Sequence, residues 1–273
     1  MTKKQQAFVS TVNTFYKQHG RHDLPWRQTH DPYTILVSEI MLQQTQVVRV
    51  IAKYELFLKT FPTIQSLANT PLGTVLSVWQ GLGYNRRAKM LHLCAQAIVS
   101  DYKGQWPHDL ITLQSLPGIG AYTASALLAF AFKVATPLIE TNVRTVYLHH
   151  FFPHQSNVPD KELLSIIEAT LDTKNTRDWY YALMDYGSYL KQTLGNNNIQ
   201  STHYTKQSIF KGSDRQIRGT IIRTLTTNRD GFTLVTLIKQ QAPTDPNRLK
   251  TQLTNLIKEG LVEKTARRYS LPG

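Results

Sequence analysis

The sequence predicts a mainly α protein: a multi-helix bundle followed by a small three-helix domain that ends in a β wing. Three observations carry this. Apolar residues recur at helical spacing as far as Leu194, broken by proline and glycine turn signals and with few alternating, strand-like runs. From Gly195 to Gly212 the chain reads GNNNIQSTHYTKQSIFKG, polar and without apolar periodicity, as a linker does. Beyond it come signals for short, well-capped helices and a basic tail.

In chain order, Asp31 and Pro32 open YTILVSEIMLQQTQVVRVIAKYELFLKTF. There Ile35, Leu36, Ile40, Val47, Ile51 and Phe57 supply the core faces of helices, and Phe61 and Pro62 close the segment. Further breaks fall at Pro71, at Gly81 to Gly83, at Pro107 and at Pro117 to Gly120. After the linker, Ser213 caps a helix running to Leu225, and a second covers Leu234 to Gln240. Asp245 and Pro246 form the N-cap and first position of a third helix, whose Leu249, Leu253, Leu256 and Ile257 face inward until Gly260. The tail LVEKTARRYSLP, with Arg267 and Arg268, forms the wing. This C-terminal pattern over residues 213–273 resembles a winged helix-turn-helix domain, which often lays its third helix in the DNA major groove. A packing or protein-binding role is the alternative.

With 273 residues and 41% hydrophobic content, the chain can build a large domain and a small one, each with its own core. A net charge of +13 suits the dense phosphate charge of a partner such as double-stranded DNA better than a small metabolite, so nucleic acid is the expected partner class. The alternative is charge that serves solubility alone. The opening MTKKQQAFVSTVNTFYKQHG lacks the apolar core of a signal peptide, and no run approaches ~18 apolar residues. The expected setting is therefore cytoplasmic, nucleoid-associated in a bacterium, with no membrane and with the protein as a monomer. Cys94 is the single cysteine, in the apolar phrase MLHLCAQAIV. It excludes internal disulfides and any cluster held by four thiolates of this chain.

The sharpest local signal is Leu116-Pro117-Gly118-Ile119-Gly120, which precedes AYTASALLAFAF. Gly118 and Gly120 allow a tight hairpin whose backbone N–H groups approach a phosphate at a helix start. This is how a helix-hairpin-helix grips one strand without reading bases. An ordinary helix corner is the competing explanation.

FYKQHGRHDLPW, SEIMLQQTQV, GLGYNRRAK, LPGIGAYTA, TNVRTV and ALMDYGS follow in the order found in MutY-type adenine DNA glycosylases of the helix-hairpin-helix (HhH-GPD) superfamily. The chain resembles that family over roughly residues 11 to 190. The resemblance implies a two-lobed, helical glycosylase domain over 1–194, with an inner lobe of about 25–130 and a second built from 1–24 and 131–194. It further implies a mispaired base, adenine opposite 8-oxoguanine or guanine, flipped into a cleft between the lobes and excised.

Base excision passes through an oxocarbenium-like sugar, so it needs a proton for the departing base and negative charge near the sugar. By resemblance Glu39 is the acid that protonates adenine and positions water, and burial beside Ile40 and Leu42 would suit it to that task. Glu140 stands where the family places an aspartate that stabilises the sugar, one methylene longer. Asn142 is implied to hold this carboxylate region, with helix capping as its alternative. Tyr122 stands where strand-cleaving relatives carry a lysine; a phenol forms no Schiff base, so the enzyme should be monofunctional. Gln44 and Tyr84 are the implied wedge that fills the duplex gap. Trp26, His22 and Asp185 are implied around the base, with His22 replacing a common arginine and Asp185 contacting the exocyclic amine. Arg86 and Arg87 are expected as phosphate contacts or solvated charges, and Arg267 and Arg268 as DNA contacts from the wing. Classical members bind an iron-sulfur cluster through four cysteines after Asp185; this chain has none there, so no cofactor and no metal are expected. Two rivals remain at this stage: a thymine or uracil mismatch glycosylase on the same scaffold, and a DNA-binding relative that has lost chemistry.

Overall fold

The computed structural model describes residues 1–207 and 209–273 and is mainly helical. In chain order the elements are α1 (Lys3–His19), α2 (Pro32–Leu42), α3 (Val47–Thr60), α4 (Ile64–Ala68), α5 (Leu72–Val78), α6 (Arg86–Ser100), α7 (Leu110–Ser115), α8 (Ala121–Phe130), α9 (Thr141–Phe151), α10 (Asp160–Thr170) and α11 (Thr176–Thr193). They continue as α12 (Asp214–Leu225), β1 (Phe232–Thr233), α13 (Leu234–Gln240), α14 (Pro246–Lys258), β2 (Glu263–Thr265) and β3 (Arg268–Ser270).

Local chemistry sets many of these limits. Thr2 and Gln5 close a reciprocal capping box at the start of α1, and Thr63 with Ser66 does the same for α4. Ser213 caps α12 and Asp245 caps α14, with Pro246 at its first position, as the sequence predicts. The apolar segment after Pro32 splits into α2 and α3 at residues 43–46. Helix α2 buries Ile35, Leu36, Val37, Ile40 and Met41, and α8 buries every residue from Thr123 to Phe130. Both are covered nearly all round, as central helices are.

The chain forms two compact units. One comprises residues 1–36, 108–115 and 119–206; the other comprises 37–107, 116–118 and 207–273. These limits differ from the expected lobes: the C-terminal domain groups with the α3–α6 region, and residues 195–206 group with α9–α11. In the first unit, Phe8 of α1 packs edge-on to Trp179 and against Tyr147, joining α1, α9 and α11. Residues 197–200, expected within a linker, form a turn of 3-10 helix tied down by a bond from Asn198 Nδ2 to Thr145 Oγ1 of 2.6 Å. In the second unit, Trp79 and Phe57 are sealed in the core. There α12 to α14 bury Ile217, Ile221, Leu225, Leu237, Leu249, Leu253 and Leu256, while Ile257 is only partly covered. Strand order β1-β3-β2, all antiparallel, completes a wing. Lys89 Nζ of α6 donates to the Glu259 carbonyl, and Gly73 N of α5 donates to the Pro272 carbonyl at 2.8 Å, so this domain is bonded into its unit at both ends of the final segment.

Candidate active site

The hairpin needs its glycines for different reasons. Gly118 has φ +75°, and a Cβ there would lie 2.5 Å from Met90 Cβ of α6. Gly120 caps α8 in an extended conformation, and a Cβ there would meet nothing within 4 Å. It leaves the positive end of α8 open to an anion.

Within the second unit, the two residues expected to form the wedge sit in the left-handed backbone region, Gln44 at φ 54° and Tyr84 at φ 47°. Such non-glycine conformations cost of order 1 kcal/mol and persist only when neighbours enforce them. Arg87 is the enforcer. Its guanidinium donates to the carbonyls of Ile40, Met41 and Gln43 on the Gln44 side, and to those of Leu82 and Gly83 on the Tyr84 side. Burial lowers its pKa to about 10, which leaves it charged at neutral pH. Arg87 therefore braces two loops and is neither the phosphate contact nor the solvated charge expected of it; Arg86 is exposed, as either reading requires. Gln207 donates to Gln44 Oε1 at 3.2 Å and to the Tyr84 hydroxyl, which also accepts from Arg215. Glu39, on α2, is 5% exposed, between Ser38 at 1% and Ile40 at 2%.

In the first unit, Glu140 caps α9. Its Oε1 accepts from the backbone N–H groups of Asn142 (2.7 Å) and Val143 (2.9 Å). Asn142 Nδ2 donates to Oε2 at 3.4 Å, a long contact beside the two shorter backbone bonds. Burial raises the Glu140 pKa above the usual carboxylate range, and the two backbone donors work against it. Gly187 of α11 lets the two helices approach: a Cβ there would lie 2.2 Å from the Asn142 carbonyl oxygen. Tyr122, at the second position of α8, is partly covered.

The residues expected around the base are placed differently from one another. Trp26 is 4% exposed within a turn of 3-10 helix, Pro25–Arg27. His22 is exposed, its ring against Tyr16 at 4.5 Å. The Asp185 carboxylate is wholly engaged: Arg27 bonds both oxygens (2.7 and 2.9 Å), and Arg21 adds its backbone N–H and its Nε (2.8 and 2.7 Å). Burial alone would raise the Asp185 pKa; Arg27 and Arg21 outweigh it and hold the group below its ordinary value. With both oxygens so used, Asp185 anchors two arginines, and an exocyclic amine would have to displace them. Arg21, Arg27 and Arg177, which bonds the carbonyls of Phe130 and Arg27, carry this buried network without any sequence motif to announce them.

The residues present do not fit a four-thiolate cluster. Cys94 is fully buried in α6, and burial pushes its thiol pKa up to about 12. Residues 197–201 are held instead by Asn198, by Gln200 Nε2 on the Gln155 carbonyl (3.0 Å), and by pairing of Ser201 with Val158.

Residues 37–169 match the profile of the HhH-GPD superfamily base excision DNA repair proteins. The chain is 35% identical over 275 residues to the adenine DNA glycosylase of Mycolicibacterium smegmatis, covering 93% of each protein. It is 31% identical over 191 residues to the thymine/uracil-DNA glycosylase of Methanothermobacter thermautotrophicus, covering 69% of this chain and 86% of that one. Among solved structures, a thermostable thymine-DNA glycosylase superposes with a TM-score of 0.60 at 30% identity, over 68% of this chain and 87% of the other. An endonuclease III in a DNA complex shares the fold at a TM-score of 0.59 and 19% identity, over 71% of this chain and 89% of the other.

Proposed function

Because the chain belongs to the HhH-GPD superfamily of base excision DNA repair proteins, we propose that it excises adenine mispaired with 8-oxoguanine or guanine, as a monomer and without an iron-sulfur cluster. It is a base excision repair glycosylase, an enzyme acting on N-glycosyl bonds of DNA. The observation that favours adenine is the reach of the similarity. Likeness to the mycobacterial adenine enzyme covers 93% of the chain, which includes most of the C-terminal domain, whereas likeness to the thymine/uracil enzyme covers 69%.

In this reading Glu39 delivers the proton that makes adenine a leaving group, and water attacks the sugar carbon as the C–N bond breaks. Glu140 supplies negative charge to the developing oxocarbenium ion. Its cap bonds to α9 support that role, because they fix the carboxylate before any charge develops. Tyr122 offers no amine, so the product is an intact strand with an abasic site.

The test is a panel of end-labelled duplexes carrying A opposite 8-oxoguanine, A opposite G, T opposite G and U opposite G. Incubation should make the adenine duplexes alkali-labile, with no adduct trapped by borohydride. Breaks confined to T or U opposite G would give the thymine/uracil reading instead, and no break in any duplex would leave a DNA-binding relative.

A further inference from the structure

Helix α12 carries a glycine for which its own protein gives no reason. Gly219 lies in the middle of the helix, where glycine is a poor helix former, and its backbone is ordinary helix. A Cβ built there would meet nothing within 4 Å, so no packing demands its absence. Arg215 stands one turn before it and Arg223 one turn after, and the four-residue spacing puts all three on one face. Arg223 is exposed.

That face lines a groove of about 1210 Å³ within the second unit, whose walls also include Gln44, Tyr84 and Gly118. Six arginines border the groove against one acid, Glu259, which is already paired with Arg218 at 2.6 Å. The third helix contributes little to it: α14 brings only Leu256, and Glu259 follows as its C-cap. We propose that the Arg215-Gly219-Arg223 face of α12 seats the phosphodiester backbone of the DNA duplex. The strand passes against bare helix at Gly219, and Arg223 meets its phosphate directly. The C-terminal domain thus grips DNA with its first helix instead of reading the major groove with its third. This rests on the glycosylase reading for the identity of the polyanion.

Binding of the full-length protein to an undamaged duplex, followed by fluorescence anisotropy across a salt series, tests the proposal without requiring excision. Gly219→Ala should raise the melting temperature, since alanine favours helix, yet weaken duplex binding; Gly219→Leu should weaken it by about tenfold or more. Arg223→Gln should reduce the slope of log K against log salt by about one, while Lys250→Gln on α14 should keep the wild-type slope. Wild-type affinity in folded Gly219→Leu, or a slope lost with Lys250 and kept without Arg223, would overturn it. Failure of the glycosylase reading shows elsewhere, as a wild-type protein that binds duplex but leaves no alkali-labile site.

Discussion

Glu140 caps α9, and the proposed chemistry gives it a second task at the sugar; its geometry says how the two would combine. It caps α9 through Oε1, so the charge that would face a cationic sugar is tied to the backbone at the helix start. Glu140→Gln should keep most of the shape, remove the charge, and slow single-turnover excision by several kcal/mol in barrier terms, with affinity nearly intact. Glu140→Asp should also lose rate, because the shorter arm must give up the cap bonds or its approach to the sugar; a gain in rate would show that the longer side chain is detuned. The pH dependence has a definite sign. Burial raises the carboxyl's pKa, so the ionised form needed for the sugar is lost as pH falls through that raised value, higher than the ~4.3 of a free glutamate. The acid limb of the excision rate should accordingly lie above that of an ordinary carboxylate and disappear in Glu140→Gln. The sequence motif located Glu140 and Asn142 together because they are neighbours in the chain. It missed the partners of Asp185, because Arg21 and Arg27 approach it from more than 150 residues away and no local spacing encodes that pairing.

Among elements, the pairing of α9 with α11 has the tightest tolerance. Gly187 brings α11 against the Asn142 carbonyl, within the first turn that Glu140 caps. Gly187→Ala would drive a methyl group into that carbonyl, costing about 1–3 kcal/mol of stability and displacing the start of α9. Since a shift of about 1 Å can cost ~100-fold in rate, excision should fall far more than the loss of folded protein explains; equal falls in both would assign Gly187 to packing alone. The helices themselves were largely legible. Ser213, Asp245 and Pro246 marked the ends found in the structure because caps are local chemistry. The turn at 43–46 was not, since the chain there is held open by Arg87, a side chain more than forty residues away.

For the whole molecule, the C-terminal domain is structural, besides the DNA contact proposed for it. Sequence composition suggested an appendage on a polar linker, but composition cannot reveal that Lys89 holds the end of α14 and Gly73 holds Pro272. Truncation before Ser213 should therefore lower the melting temperature by several degrees in addition to flattening the salt dependence of DNA binding. An unchanged melting temperature would show the domain to be thermally independent of the rest of its unit. Sulfur is the other property that belongs to the protein entire. Oxidants that convert guanine to its 8-oxo form find no reactive thiol here, since the lone cysteine lies sealed in α6 with its proton held to about 12 and no thiolate offered to peroxide. Excision after peroxide treatment should match the untreated rate, and a loss reversed by a thiol reductant would contradict this. By that route thiol oxidation would not take the enzyme out of service during the same oxidative episodes that create its proposed lesion.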